Sequence, residues 1–406
     1  MHGGAVIAHD GDGAMMVFYA LPGELVEAAA RGRRGGLTYA NAVEVLEPSA
    51  DRIAARCPHF GECGGCQWQH ALYHRQLDFK RTVVEDAWRR AGVRLPPDAP
   101  MLGMADPWRY RIRGEFEALQ DGQGRVSVGF HRMRSHAVLP VTTCPIHDER
   151  IERAALALGR AASELHVTGL QNLLLTVEPA GGGLLWRTRY ESRSGGSRDQ
   201  ELVARAAELL PDLVLLDDSI SLDFWDMTFR VRSDTFVQTN YRQMLVLYEV
   251  ALGLLGAGPG DRVLDLYAGI GTISVAAARR SGSVTAIEEN PAAVRLARLN
   301  ARINQAAGVR VVPGKVEEAL RQVRLGDHEA AILDPPRAGC EPAAIAELLR
   351  LGTERLVYVS CEPSTQARDV ALLVRGGYRV RRAAVVDMFP HTYHVECVAL
   401  LERSGG

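Results

Sequence analysis

The sequence predicts an α/β protein whose C-terminal part is an open, largely parallel sheet with helices on both faces. From about residue 240 onward, short apolar runs alternate regularly with helical patterns, the signature of βαβ units. A glycine-rich turn, Asp265-Leu-Tyr-Ala-Gly269-Ile-Gly271-Thr272, joins the first of these runs to a helix. Chemically active residues then fall where strands end at their carboxyl termini, which is where such sheets carry ligands.

Residues 1 to about 55 alternate apolar and polar residues between Gly-rich breaks, which predicts a small β-barrel or sheet too short to bury much surface alone. Residues 57–66 form a cysteine loop, and 71–91 carry a helical pattern that stops near Gly92. Two or three antiparallel strands are expected over 108–141, and a mixed α+β stretch over 150–235 contains the polar run ESRSGGSRDQ, expected to be mobile. After a helix over YRQMLVLYEVALGLLG come strands at RVLDLYA, SVTAIEE, VRVVP, AAILDPP and RLVYVSC. Helices are expected from 271 and over 291–306, 315–323, 342–350 and 364–375, with two closing strands. The expected division is 1–55, 56–235 and 236–406, in keeping with 406 residues, too many for one average domain.

Composition narrows the class. Hydrophobic residues at 47% and charged residues at 24% describe an ordinary globular chain, and no apolar run approaches the ~18 residues of a membrane span. The N-terminus lacks the charged and apolar regions of a secretory signal, so a cytoplasmic protein is expected. A net charge of −2 gives no global attraction to nucleic acid, so any RNA surface must be local. Between Arg75 and Arg134, twelve Arg or Lys stand against eight Asp or Glu, which fits an RNA groove and a solvated mixed surface equally. Seven cysteines in such a chain argue against a disulfide framework, and three of them cluster as Cys57-x5-Cys63-x2-Cys66.

The motifs point to methyl transfer. Glycines after Asp265 let the backbone approach a ligand, and Glu288, ending the next strand, suits the two hydroxyls of a ribose. Ser274 stands where a dinucleotide fingerprint wants Gly or Ala, and Asp265 suits a cationic amino-acid moiety better than a pyrophosphate. Both favour S-adenosylmethionine over NAD. Asp334-Pro335-Pro336-Arg337 ends the fourth strand with a stiff backbone, and Ser360-Cys361-Glu362-Pro363 ends the fifth beside it. Uracil C5 is a poor nucleophile until a thiolate adds to C6, a role Cys361 suits if its pKa is lowered, as the following helix N-terminus would do. A base must then remove the C5 proton. Glu396 is the candidate, with His391 and His394 as competitors on chemistry alone.

With these motifs the chain resembles the RNA 5-methyluridine methyltransferases, in particular the 23S ribosomal RNA uracil-5-methyltransferases of the RlmD or RumA type. The resemblance rests on ThrPheValGlnThrAsn at 235–240, AspLeuTyrAlaGly at 265–269, AspProProArgAlaGly at 334–339, SerCysGluPro at 360–363 and HisValGlu ending at 396. It implies a C-terminal Rossmann-like class I S-adenosylmethionine-dependent methyltransferase domain, a central α+β domain with an iron–sulfur loop, and a TRAM-like N-terminal barrel that binds RNA. It further implies Cys361 as nucleophile, Glu396 as base, and Gln238, Tyr267, Thr272, Glu288 and Asp334 as donor-binding residues. Spacing alone leaves zinc and iron–sulfur open for Cys57, Cys63, Cys66 and the distant Cys144; the resemblance implies a 4Fe–4S cluster. The implied partner is RNA, chiefly 23S rRNA, with neither DNA, membrane nor obligate protein partner.

The sequence also departs from the family pattern. The TRAM-like segment, with AlaLeuProGlyGlu at 20–24, starts late and lacks a first strand, so an incomplete barrel is expected. Tyr110-Arg-Ile-Arg113 differs from the usual string there, Lys315 is not assigned as a ligand, and Glu362 replaces an Asn. A tRNA T-loop methyltransferase, a cytosine-5-methyltransferase and a non-catalytic iron–sulfur RNA-binding assembly factor are the alternatives. Against them stand the full cysteine set, the base motif, and the joint presence of Gln238, Asp334, Cys361 and Glu396.

Overall fold

The computed structural model describes residues 3–10, 13–191 and 198–404. The centre of the polar run expected to be mobile, 192–197, lies outside the described residues. At the N-terminus, β1 (Ala5–Asp10), β2 (Gly13–Phe18), β3 (Leu25–Arg34) and β4 (Leu37–Glu47) form a sheet in the order β1-β2-β4-β3. Among the described residues no pairing closes β1 onto β3, so the hydrogen bonding is that of an open sheet. It buries two small clusters, one around Val6, Val17, Ala20 and Ala40 and one around Ala5, Met16 and Phe18, and it leans on the segment just beyond the cysteine loop, where Trp68 Nε1 donates to the Gly4 carbonyl at 3.2 Å.

Next come α1 (Tyr73–Arg90) and a two-residue strand, β5 (Met101–Leu102). A six-stranded sheet is then built from β6 (Arg113–Gln120), β7 (Val126–His131), β8 (Val138–Pro140), β9 (Leu170–Val177), β10 (Gly183–Tyr190) and β11 (Val214–Leu216), in the order β11-β10-β9-β6-β7-β8. The helices α2 (Glu149–Glu164) and α3 (Asp199–Leu209) pack beside it. Asp148 caps α2 by accepting from Arg150 N, and the Ala-rich apolar face of that helix is fully buried. A hairpin, β12 (Ser219–Phe224) and β13 (Met227–Arg232), leads into the C-terminal part.

There α4 (Tyr241–Leu255) starts at Asn240, whose side chain caps it, and stops at Gly256 in the left-handed region. The chain then alternates: β14 (Arg262–Leu266), α5 (Thr272–Ala278), β15 (Ser283–Glu288), α6 (Pro291–Ile303), β16 (Val309–Pro313), α7 (Val316–Leu320), β17 (Ala330–Leu333), α8 (Pro342–Leu351), β18 (Arg355–Ser360), α9 (Pro363–Arg375). It ends with β19 (Tyr378–Val386) and β20 (Glu396–Arg403). The eight-stranded sheet runs β16-β15-β14-β17-β18-β20-β19-β5, parallel through β18 and antiparallel across β20.

Its strands are apolar on both sides because both faces are covered. Ala330 and Ile332 join the core with α4, α5 and α6, whereas Ala331 and Leu333 join the core with α8, α9 and the end of α1. The expected fold class thus holds for this part. Sequence periodicity did not reveal that residues 73–102 belong to its surroundings. Trp88 of α1 donates to Gln366 of α9 at 3.3 Å, and β5 adds a parallel edge to β19. No helix among the described residues is long and apolar enough to cross a membrane.

Candidate active site

The turn after β14 is shaped by backbone that most residues avoid. Tyr267 sits at φ 61°, Gly269 at φ 56° and Gly271 at φ 80°. A Cβ on Gly271 would stand 3.2 Å from that of Ala297, so close packing against α6 as well as the left-handed conformation demands glycine. Tyr267 has no such freedom, and a strained non-glycine residue at a strand end marks a position held for its side chain. Glu288 secures the turn: one carboxylate oxygen accepts from Gly269 N at 2.8 Å and the other from Asn290 N at 2.7 Å.

Gln238, Tyr267, Thr272 and Asp334 line one pocket with Asp265, Tyr248, Met244 and the exposed Phe236. Glu288 reaches the same loop from the neighbouring strand rather than from the pocket wall. Asp265 belongs to the motif read from sequence but not to the expected ligand set, and Tyr248 gave no signal because it comes from α4, ahead of the alternating pattern. Tyr248 accepts from Thr272 Oγ1 at 3.2 Å, and Ser274 Oγ donates to Asp265. Burial pushes the Asp265 carboxyl up to about 7, with Asp334 and Glu288 adding repulsion, and burial likewise pushes Asp334 up to about 7. A pocket with two carboxyls so raised favours a ligand that brings positive charge.

Strand register brings the remaining chemistry to the same edge. Leu333 pairs with Tyr358 and Ser360 with Cys397, so Asp334, Cys361 and Glu396 cap three adjoining strands. Cys361 is half-buried and Glu396 is buried at 3% exposure. Burial raises the Cys361 thiol to about 11, with further upward pressure from Glu396 and Asp334, while Arg337 draws it down. This corrects the expectation that the helix N-terminus lowers the thiol: the Glu362 carboxylate caps α9, accepting from Ser364 N, and faces the helix's positive end itself. Burial and the neighbouring Asp334 hold Glu396 well above the usual carboxylate range. Arg337 is the cation that opposes both shifts.

Of the two histidines, His391 is committed to structure. It stacks on Trp108 with ring centroids 3.8 Å apart, and its backbone N donates to Gln76 Oε1 at 2.9 Å. His394 is half-buried, and burial followed by Arg337 lowers it to about 4, which leaves it neutral.

All seven cysteines are free thiols. Cys57, Cys63, Cys66 and Cys144 surround one small cavity of about 50 Å³ with Arg111, Gln69 and His147. Among the described residues no three or more His, Cys, Asp or Glu side chains are gathered closely enough to hold a metal ion. Burial raises Cys66 and Cys144, and each of these thiols is raised further by its neighbours. The buried Arg111 Nε has no partner among the described residues.

The comparisons with known proteins agree with this geometry. Residues 197–404 match the tRNA (Uracil-5-)-methyltransferase family profile. Over 99% of the chain and 94% of the relative, it is 32% identical to an uncharacterized RNA methyltransferase of Halalkalibacterium halodurans. The chain belongs to the RNA uracil-5-methyltransferase family. It is also 34% identical, over 99% of its length and 94% of the relative's, to the 23S rRNA (uracil(1939)-C(5))-methyltransferase RlmD of Alkalilimnicola ehrlichii. Its fold is that of the Pyrococcus abyssi tRNA (uracil-54, C5)-methyltransferase solved with S-adenosyl-L-homocysteine, at TM-score 0.73 and 23% identity over 98% of this chain and 99% of that one. The protein is an RNA uracil-C5 methylating enzyme.

Proposed function

We propose that the enzyme methylates uridine C5 in 23S rRNA through a covalent bond between Cys361 and the ring. One observation carries this reading: Asp334, which lines the pocket formed by the glycine turn, and Cys361 follow the ends of two adjoining strands, and Glu396 opens the third at the same sheet edge. Gln238, Tyr267, Thr272, Glu288 and Asp334 hold the donor in this reading, joined by Asp265. Bound S-adenosylmethionine supplies an electrophilic methyl group. The Cys361 sulfur adds to C6 of the extruded base, Arg337 favouring its thiolate, and electron density moves through C5 to O4. With C5 methylated, Glu396 takes the C5 proton, the C5–C6 double bond re-forms and the sulfur leaves. Glu396 must be a carboxylate at that moment, and Arg337 is the neighbour that favours it.

Cys57, Cys63, Cys66 and Cys144 are proposed to hold a 4Fe–4S cluster: Cys66 is buried, the other three are half-buried, and all four thiols line one cavity. Its part is to fix the loop; the chemistry contains no redox step. Residues 1–55 are proposed as the TRAM-like RNA-binding unit, 56–235 as the central domain and 236–406 as the catalytic domain.

The choice of 23S rRNA rests on the Alkalilimnicola relative. A second reading, a tRNA T-loop uridine, is favoured by the fold it shares with the archaeal tRNA enzyme along nearly its whole length. Labelled methyl transfer to rRNA and to tRNA from cells lacking this protein separates the two. Methyl in 23S rRNA at a mapped 5-methyluridine is expected, and methyl only in tRNA overturns the choice. Iron and acid-labile sulfide in anaerobically purified protein, lost in Cys66→Ser, test the cysteine centre.

A further inference from the structure

Arg337, the cation beside Cys361 and Glu396, is an exposed residue on the turn that follows β17. Its place beside the thiol is therefore set by the backbone that carries it. Three side chains of α9 hold that backbone. Thr365 Oγ1 donates to the Arg337 carbonyl at 2.9 Å, Arg368 Nη2 donates to the Ala338 carbonyl at 2.9 Å, and Asp369 Oδ2 accepts from Cys340 N at 2.8 Å.

Asp369, 1% exposed, is the hub of this clamp. The oxygen that accepts from Cys340 N also accepts from the Tyr358 hydroxyl at 2.7 Å, and the other oxygen accepts from Arg368 Nε at 2.8 Å. A carboxylate this deep is tolerated only when such partners surround it. Tyr358 lies on β18, three residues ahead of Cys361, so one carboxylate ties the Arg337 turn to the strand and to the helix that flank the nucleophile. Gly339, at φ 81°, lies against the clamp: a Cβ there would stand 2.6 Å from both Asp369 Oδ2 and Arg368 Nη2.

We infer that Asp369 and Arg368 are positioning residues for methyl transfer: they lock the 336–340 turn onto α9, and the lock holds Arg337 against the Cys361 sulfur. The inference rests on Cys361 being the nucleophile proposed above. The thiol is also faced by Asp334 from the end of β17 and by Glu396 from β20, while the neighbouring Glu362 carboxylate is turned to Ser364. Arg337 is the cation among these groups. Withdrawing it leaves carboxyls to oppose ionisation of the sulfur.

The test is alkylation of Cys361 by iodoacetamide in the full-length protein across pH, read by mass spectrometry of the peptide that contains Cys361. In Arg368→Met, at a half-exposed side chain, the midpoint of the reactivity profile is expected to rise by about one pH unit, a roughly tenfold loss of labelling rate at a fixed pH below it. Arg368→Lys keeps a donor for the Ala338 carbonyl and is expected to recover most of that rate. Asp369→Asn is expected to move the midpoint the same way while lowering the melting temperature. In an Arg337→Gln background, Arg368→Met is expected to shift the midpoint no further, because the cation it places is gone. A midpoint unchanged in Arg368→Met, or one that moves equally with and without Arg337, overturns the clamp. Methylation that survives Cys361→Ala overturns instead the reading on which the clamp rests, so the two failures are distinct.

Discussion

The backbone N–H of Gln67 donates to the carbonyl oxygen of His391 at 2.9 Å, and Trp68 N reaches the same oxygen at 2.9 Å. Gln67 directly follows Cys66, and His391 lies in the loop that delivers Glu396 to the sheet edge. The rest of that loop is claimed just as closely. Asn240 donates to the Met388 carbonyl at 3.0 Å, Lys80 to that of Phe389 at 2.8 Å and Tyr110 to that of Pro390 at 3.0 Å. His391 is held at φ 68°, a conformation these bonds maintain. The loop before the proposed base is therefore positioned by α1, α4 and the cysteine loop together.

Gln76→Leu removes the acceptor for His391 N and the donor for the Ala71 carbonyl, both in buried surroundings. Each unsatisfied group costs about 1–3 kcal/mol, so the loop is expected to loosen while the sheet and Cys361 stay in place. Turnover is expected to fall roughly tenfold, about the 1.4 kcal/mol that a misplaced base would lose, with covalent enzyme–RNA adduct accumulating. A denaturing gel of enzyme mixed with unmodified RNA reads this directly. A loss of turnover with no rise in adduct would mean that Gln76 serves the first step or folding alone.

Lys80→Met breaks a fully buried ion pair with Asp387, whose other carboxylate oxygen accepts from Tyr73 at 2.7 Å. Stranding one buried charge is expected to cost about 3–5 kcal/mol, seen as a large drop in melting temperature. Lys80→Met with Asp387→Leu is expected to recover much of the loss because no charge remains uncompensated. A single variant as stable as wild type would show that Asp387 finds other compensation.

Donor affinity is expected to depend on pH with a definite sign. Asp265 and Asp334 are each pushed up to about 7, so in the free enzyme they hold protons below neutrality, and a cationic donor prefers them ionised. Affinity should rise as pH rises to about 7 and then level, and Asp334→Asn should flatten the rise. The same raised values mean that these carboxyls take stability away as pH rises from near 4 through 7, since the unfolded chain releases its protons first. Calorimetric titration of the donor across this range checks the prediction, and a flat profile would contradict it.

Much of the site was legible because its chemistry sits in contiguous motifs at strand ends. Asp334, Cys361 and Glu396 meet because β17, β18 and β20 are neighbours, and the alternating pattern after residue 240 already implied the first of those pairings. The capping role of Glu362 was hidden, since its carboxylate is read as a charge until the helix start is known. Lys80, Gln76 and Tyr73 were hidden for another reason. They lie about 310 positions from their partners on a helix whose pattern is satisfied by burial of any kind. The open N-terminal sheet agrees with the incomplete barrel expected there, whereas the bulge between Ala30 and Gly32 of β3 depends on register, which composition does not encode.

The most direct test is a covalent one: enzyme, S-adenosylmethionine and RNA carrying 5-fluorouridine at the mapped position, followed by digestion and mass spectrometry. Fluorine in place of the C5 proton leaves the proposed base, Glu396, nothing to remove, so methylated RNA should remain bound to the peptide containing Cys361 and be absent in Cys361→Ala. A wild-type reaction that methylates ordinary RNA but forms no adduct on 5-fluorouridine RNA, or an adduct that persists in Cys361→Ala, would contradict the account.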